Sequence, residues 1–278
     1  SSKGLSADNV IIINAKDEIE QFHNNGNISF PDEVALGAAV AKIINRPEPV
    51  TECELPPVDK AMIRKIVDES ENGYLTPEKT QQLLDAAGIN RAKEFVVTTA
   101  EDALKAAKEI KYPIVMKVVG PVHKSDVGGV ALNIKEDSIL VSEFNRMMGI
   151  KDATGVLLQP MLSGTEIFVG AKREDKFGHL IMFGLGGIYV EALHDISSSL
   201  SPVSKVEVSE MISSLRSIKL IEGTRGKEGV NIPLFNEVVR RVSALCEAAP
   251  EIFEMDINPL LGNSKSLTAV DARIRIEK

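Results

Sequence analysis

With 278 residues, 44% of them hydrophobic and 26% charged, the chain can bury one large core or two moderate ones and needs no disulfide framework. Its 32 basic against 40 acidic residues give a net charge of −8, which repels nucleic acid unless basic groups cluster, and no such cluster is present. The two cysteines, Cys53 and Cys246, lack C-x-x-C spacing and suit a reducing, cytoplasmic setting, and no run nears the roughly 18 apolar residues of a membrane span, so neither nucleic acid nor membrane is an expected partner.

Residues 1–46 read as a strand (Asn9–Ile13), a helix (Asp17–His23), a turn, a short strand (Ile28–Phe30) and a helix opened by Pro31 and Asp32 and closed near Asn45. This is the tail of an α/β unit. RPEPVTECELPPVD mixes prolines with acidic residues and reads as a linker at 47–59. A helix over Lys60–Glu69 follows, then LTPEKTQQLLDAAGI, with a threonine cap, proline at the first helical position and a closing glycine; TTAEDALKAAKEI repeats that logic. Tyr112–Val119 and Val130–Ile134 are strands around a loop of small residues, and a helix over Glu136–Met148 leads to the strand GVLLQPM. EIFVGAKRED pairs with GHLIMFGLGG across a polar turn. SEMISSLRSI and PLFNEVVRRVSALCEAA are amphipathic helices, and IFEMDINPLL with SLTAVDARIRI forms a terminal hairpin. Strands and helices mix without a strict βαβ rhythm, which predicts α+β lobes.

In EMDINP, the side chains of Glu254, Asp256 and Asn258 alternate onto one strand face, and Asp271 on the returning strand has apolar flanks that place it inside. This oxygen-rich set suits Mg2+, or else it is a polar outer face with Asp271 in a salt bridge. Lys117 lies between Met116 and Val118, either snorkelling to the surface or aimed at an anion. After it, Gly120, Gly128 and Gly129 allow backbone amides close to a phosphate, and Lys124 and Ser125 add donors, although no Walker motif occurs. His123 in this loop is either a solvated hydrogen-bonding residue or a nucleophile able to accept a phosphoryl group. Gln159–Met161 forms a short hinge, and Glu166 heads the next strand, where it either receives ribose hydroxyls or solubilises an edge. Gly184, Gly186 and Gly187 form an anion nest, with Glu191 and Asp195 nearby, or a plain tight turn. His179 and His194 read as surface residues. Arg225 in a glycine-rich loop can meet a phosphate or a carboxylate.

In order, YPIVMKVVGPVHKSDVGGV, LLQPMLSGTEIFVGAKRED, FGLGGIYVE, EGTRGKEG and EMDINPL…AVDARI resemble the ATP-grasp half of the NDP-forming acyl-CoA synthetases, most nearly the β part of the ADP-forming acetyl-CoA enzymes. The resemblance runs from about residue 60 to the end. It implies an ATP-grasp fold of two α+β lobes, at 60–158 and 159–278, holding ATP or ADP between them. Lys117 then touches the nucleotide phosphates, with Lys124, Ser125, Gly128 and Gly129 in the phosphate loop. Gln159 and Met161 line the adenine edge, Glu166 meets the ribose, and Asp256, Asn258 and Asp271 hold Mg2+. His123 is similar to the histidine that relays the phosphoryl group. The implied reaction interconverts acyl-CoA, ADP and phosphate with carboxylate, CoA and ATP through phosphohistidine.

Residues 1–46 resemble the end of a succinyl-CoA-ligase-like domain, and the first residue is Ser1, so a piece of a longer synthetase is expected. Its partner would be the CoA-binding half, as a fused domain or an α subunit, in a homo- or hetero-oligomer. Two other readings stand beside this one. A non-catalytic ligand-sensing module of a protein acetyltransferase would bind without turnover. A succinyl-CoA synthetase β subunit would resemble a glycine- and arginine-rich loop where this chain has HKSD.

Overall fold

The structure, a computed structural model, describes residues 16–26, 28–44, 53–120, 127–187, 190, 193–224, 226 and 228–278. The chain divides into units 1–51 and 52–278. The first unit holds α1 (Lys16–Asn24) and α2 (Glu33–Ile44). Asp32 caps α2 by accepting the Ala35 N–H at 2.7 Å. Residues 28–30, expected as a short strand, pair with no strand among the described residues, and Ile28, 81% exposed, gains little from burial there. The strand expected at 9–13 lies outside the described residues.

The second unit opens with α3 (Lys60–Asp68), β1 (Gly73–Tyr74) and α4 (Pro77–Ala86). It continues through β2 (Phe95–Val97), α5 (Ala100–Ile110), β3 (Ile114–Val119), β4 (Val130–Ile134), α6 (Asp137–Met148) and β5 (Gly155–Pro160). The rest is β6 (Thr165–Glu174), β7 (Gly178–Leu185), β8 (Ile196–Leu200), α7 (Lys205–Ser214), α8 (Ile218–Ile221), α9 (Ile232–Ala248), β9 (Ile252–Gly262), β10 (Leu267–Ala269) and β11 (Ala272–Ile276). Thr76 and Thr99 cap α4 and α5 as their sequences predict, each accepting a backbone N–H three residues on.

The strands form two antiparallel sheets, a smaller one in the order β2-β5-β3-β4 and a larger one in the order β1-β11-β9-β6-β7-β8, with β10 on β9. In the smaller sheet, Ile114, Met116 and Val118 of β3 and Val156 and Leu158 of β5 face a core with Leu140, Phe144 and Met147 of α6. The two-residue period leaves Val115, Lys117, Leu157 and Gln159 on the other face. In the larger sheet, Ile167, Val169, Met255, Ile257, Ile274 and Ile276 pack under α9, whose Phe235 meets Phe183 edge-on at 5.1 Å. That packing turns Glu254, Asp256 and Asn258 to the opposite face. Core membership does not follow chain order: Ile63 and Ile66 of α3 and Leu83 and Leu84 of α4 belong to the larger sheet's core, although the expected lobe at 60–158 groups them with the smaller sheet. The reason is local, since α3 lies against α9 and α4 against β11.

Arg64 fixes α3 to the turn before β9, donating to both carboxylate oxygens of Glu251 at 2.7 and 2.9 Å. This Arg64 hydrogen bond holds the Glu251 carboxyl below its ordinary value of 4.5 against the opposing effect of burial. A depressed carboxyl stabilises above its unfolded pKa and loses that contribution as pH falls through the folded value. Glu251→Gln is therefore expected to cost about 1 kcal/mol at pH 7, or roughly 2–4 °C in Tm. Thermal melts should show the deficit shrinking below about pH 4.5.

Candidate functional site

Two buried side chains from the second face of the smaller sheet meet one carbonyl between β10 and β11. The Lys117 ammonium donates to Val270 O at 3.1 Å, and the Gln159 amide donates to the same oxygen at 3.0 Å. Lys117 Nζ also lies 3.8 Å from Asp271 Oδ2. The lysine is only 8% exposed, so its charge is matched by protein groups rather than by bulk water. It is not snorkelling, and Asp271, which its apolar flanks would place inside, is half-buried, with 28% of its side chain exposed.

The segment Val270–Asp271 is held from the other side by β9. Asn258 N donates to Asp271 O at 3.0 Å, and Val270 N donates to Pro259 O at 3.0 Å, which brings residues 258 and 271 together. Asn258 Oδ1 accepts the Gly187 N–H at 3.0 Å. Gly187 has φ 58°, and a Cβ there would fall 1.8 Å from Glu166 Oε2, so the absence of a side chain lets the Glu166 carboxylate sit against this turn. Gly186 N donates to Glu166 O at 2.8 Å and closes the arrangement. Lys117, Gln159, Asp271, Asn258, Gly187 and Glu166 thus form one connected series from six separate elements and turns.

Asp256 shares the β9 face with Asn258 and stands opposite Arg273 of β11. Its tip is reached by water, yet protein crowds it within a pocket shared with Tyr74, Glu254, Arg273 and Lys172. Burial pushes its carboxyl up to about 6, opposed by Arg273 and reinforced by Asp271 and Glu254. A second cavity of about 200 Å³ opens where Val119, Gly120 and Leu157 of the smaller sheet approach Asp271 and Arg273. The sequence reading missed Arg273, Tyr74 and the Gly187–Asn258 bond. Strand register alone would have put Arg273 on the face of Asp256.

Other expected residues stand apart or out of view. His123, Lys124, Ser125, Glu191 and Arg225 lie outside the described residues. Gly129 O accepts from Val118 N at 2.7 Å, and Gly128 O accepts from Arg146 at 2.8 Å, which anchors the end of the phosphate-loop candidate. At the expected hinge the Met161 N–H is engaged by Pro113 O at 2.9 Å. Asp195 accepts the backbone N–H groups of Arg216 and Ser217 just before α8 rather than serving the glycine turn. His179 is not a surface residue: it is 5% exposed, shares the inward face of β7 with Ile181 and Phe183, and its Nε2 lies 2.6 Å from Ile252 O.

Asn258 and Asp271, bonded to each other through the backbone, carry hard oxygen atoms, the chemistry Mg2+ takes from protein when phosphates and water complete its shell. Among the described residues no three His, Cys, Asp or Glu side chains come close enough to hold a metal by themselves. The donor set therefore fits a cation shared with a phosphorylated ligand and not a closed structural site.

The ATP-grasp domain family model matches residues 52–276. Over 209 residues the chain is 43% identical to the ADP-forming acetate–CoA ligase II of Archaeoglobus fulgidus, a match covering 72% of this chain and 30% of that protein. Over 226 residues it is 38% identical to the β subunit of ADP-forming acetate–CoA ligase I of Pyrococcus furiosus, covering 77% of this chain and 97% of the subunit. The chain thus spans less than a third of the longer relative and nearly all of the separate subunit. Among solved structures, the dinucleotide forming acetyl-coenzyme A synthetase 1 of Ca. Korarchaeum cryptofilum, in complex with coenzyme A and Mg-AMPPCP, superposes with a TM-score of 0.68 at 30% identity, covering 79% of this chain and 100% of that one. Two antiparallel sheets linked by the contact of Lys117 with Val270 and Asp271 agree with these likenesses, and the chain belongs to the ATP-grasp family, among the β parts of the ADP-forming acetate–CoA ligases.

Proposed function

We propose that this chain is the nucleotide-binding, phosphoryl-transfer half of an ADP-forming acyl-CoA synthetase of the acetate–CoA ligase type, with ATP or ADP and Mg2+ as its ligands. The observation that carries this reading is the contact of Lys117 with the Val270–Asp271 segment across the two sheets. It puts a buried cation beside a pair of hard oxygen donors, where a polyphosphate needs both.

Lys117 neutralises phosphate charge from the smaller sheet, and Glu166, backed by Gly187, receives ribose hydroxyls. Asn258 and Asp271 hold the cation, with Asp256 two residues along the same face. When bound, Mg2+ screens the phosphate oxygens. His123 follows Gly120, which lines the same cavity as Asp271. Its neutral imidazole attacks the γ-phosphorus of ATP, the bond to the β–γ bridging oxygen breaks, and ADP departs; the reverse step makes ATP. The acyl and CoA pockets belong to a partner half, fused as the length of the A. fulgidus relative suggests or separate as in P. furiosus, in a homo- or hetero-oligomer. No helix among the described residues is long and apolar enough to cross a membrane. Cys53 and Cys246 are free thiols, which supports a cytoplasmic setting.

Incubation with γ-labelled ATP and Mg2+, with the CoA-binding half supplied, should give acid-labile label on the wild type and none on His123→Asn. Equal labelling of both proteins would remove His123 from the relay.

A further inference from the structure

Gln159 is a glutamine on a sheet face that also carries Val115, Leu157 and the buried Lys117. It is 0% exposed. Its Nε2 bond to Val270 O fixes which way the amide points, and its Oε1 is buried with no hydrogen-bond partner among the described residues. A buried acceptor left dry costs about 1–3 kcal/mol, which a methionine of similar shape avoids. What Gln159 supplies and methionine cannot is the bond to Val270.

We propose that Gln159 is a positioning residue that sets the metal-ligand pair Asn258 and Asp271 by pinning the Val270 carbonyl, and that its side chain does not read the adenine edge. This rests on the nucleotide and Mg2+ reading above. Val270 O receives two donors, Lys117 and Gln159, both from the smaller sheet. The nucleotide phosphates compete for Lys117. Gln159 is buried and uncharged, so phosphate does not draw it away, and its bond keeps the Val270–Asp271 segment in register while the lysine turns to phosphate. Through the backbone bonds Val270 N to Pro259 O and Asn258 N to Asp271 O, the same constraint reaches Asn258. Outer partners of this kind alter metal affinity by roughly 10- to 100-fold when removed.

The test is a calorimetric comparison of wild type and Gln159→Met in the full chain, with ADP titrated without metal and Mg2+ then titrated into the ADP complex. The expected result is unchanged metal-free ADP affinity, about tenfold weaker Mg2+ binding, and faster hydrogen exchange at the Val270 and Asn258 amides of the metal-free protein. Weaker metal-free ADP binding with an unchanged Mg2+ titration would overturn the proposal and return Gln159 to the adenine edge. Should Gln159→Met fail to fold, Gln159→Glu, which also lacks the donor when ionised, is read by the same two titrations. Wild type that binds no Mg-ADP would sink the nucleotide reading itself, a result distinct from either outcome for Gln159.

Discussion

Lys117→Met is expected to reduce phosphoryl transfer between ATP and the protein by about 10²- to 10³-fold, the usual effect of removing one preorganised charge contact from a transition state. The substitution keeps side-chain volume on a face shared with Val115 and Leu157, and Gln159 still donates to Val270 O, so the two sheets stay joined. Burying an ammonium costs several kcal/mol before it is repaid by partners, and here Val270 O and Asp271 are such partners. Lys117→Arg should fail to rescue, because a planar fork does not reproduce a compact charge on a flexible stem. Turnover of ATP formation, with melting curves to establish folding, decides the matter: a folded Lys117→Met protein retaining a tenth of wild-type turnover would place the phosphates elsewhere.

Gly187→Ala should weaken ADP binding by at least tenfold, on the order of 1.4 kcal/mol. Two effects combine at this residue. A left-handed conformation costs a residue with a Cβ about 1–2 kcal/mol, and the new methyl would overlap Glu166 Oε2, which lies 1.8 Å from its ideal position. Relief requires moving either the Glu166 carboxylate or the turn that donates to Asn258 Oδ1. Gly178 separates these causes, since it has φ 83° and a methyl added there would meet nothing within 4 Å. Gly178→Ala should therefore lower Tm by a few degrees and leave ADP affinity unchanged. If both alanines bound ADP equally well, Glu166 and Gly187 would have no part in the site.

Local pattern made most elements legible. The threonine-capped helices α4 and α5, the pairing of β6 with β7, and the alternation that puts Asp256 and Asn258 on one face of β9 all follow from neighbours a few residues apart. The same alternation, applied to β7, would have buried His179, since positions 179, 181 and 183 point inward together. The short strand expected at 28–30 pairs with no strand among the described residues; an extended run needs such a partner, and its pattern says nothing about whether one is present.

The sequence by itself determined the α+β character, most of the strands and helices, and the residue types of the proposed phosphate and magnesium site. Only the tertiary structure decided that α3 and α4 join the core of the larger sheet, that Lys117 and Gln159 share the Val270 carbonyl, and that Gly187 makes room for Glu166. Period and capping act over a few residues of chain. The packing of one sheet face against a loop more than a hundred residues away depends on shapes and distances that no local pattern contains.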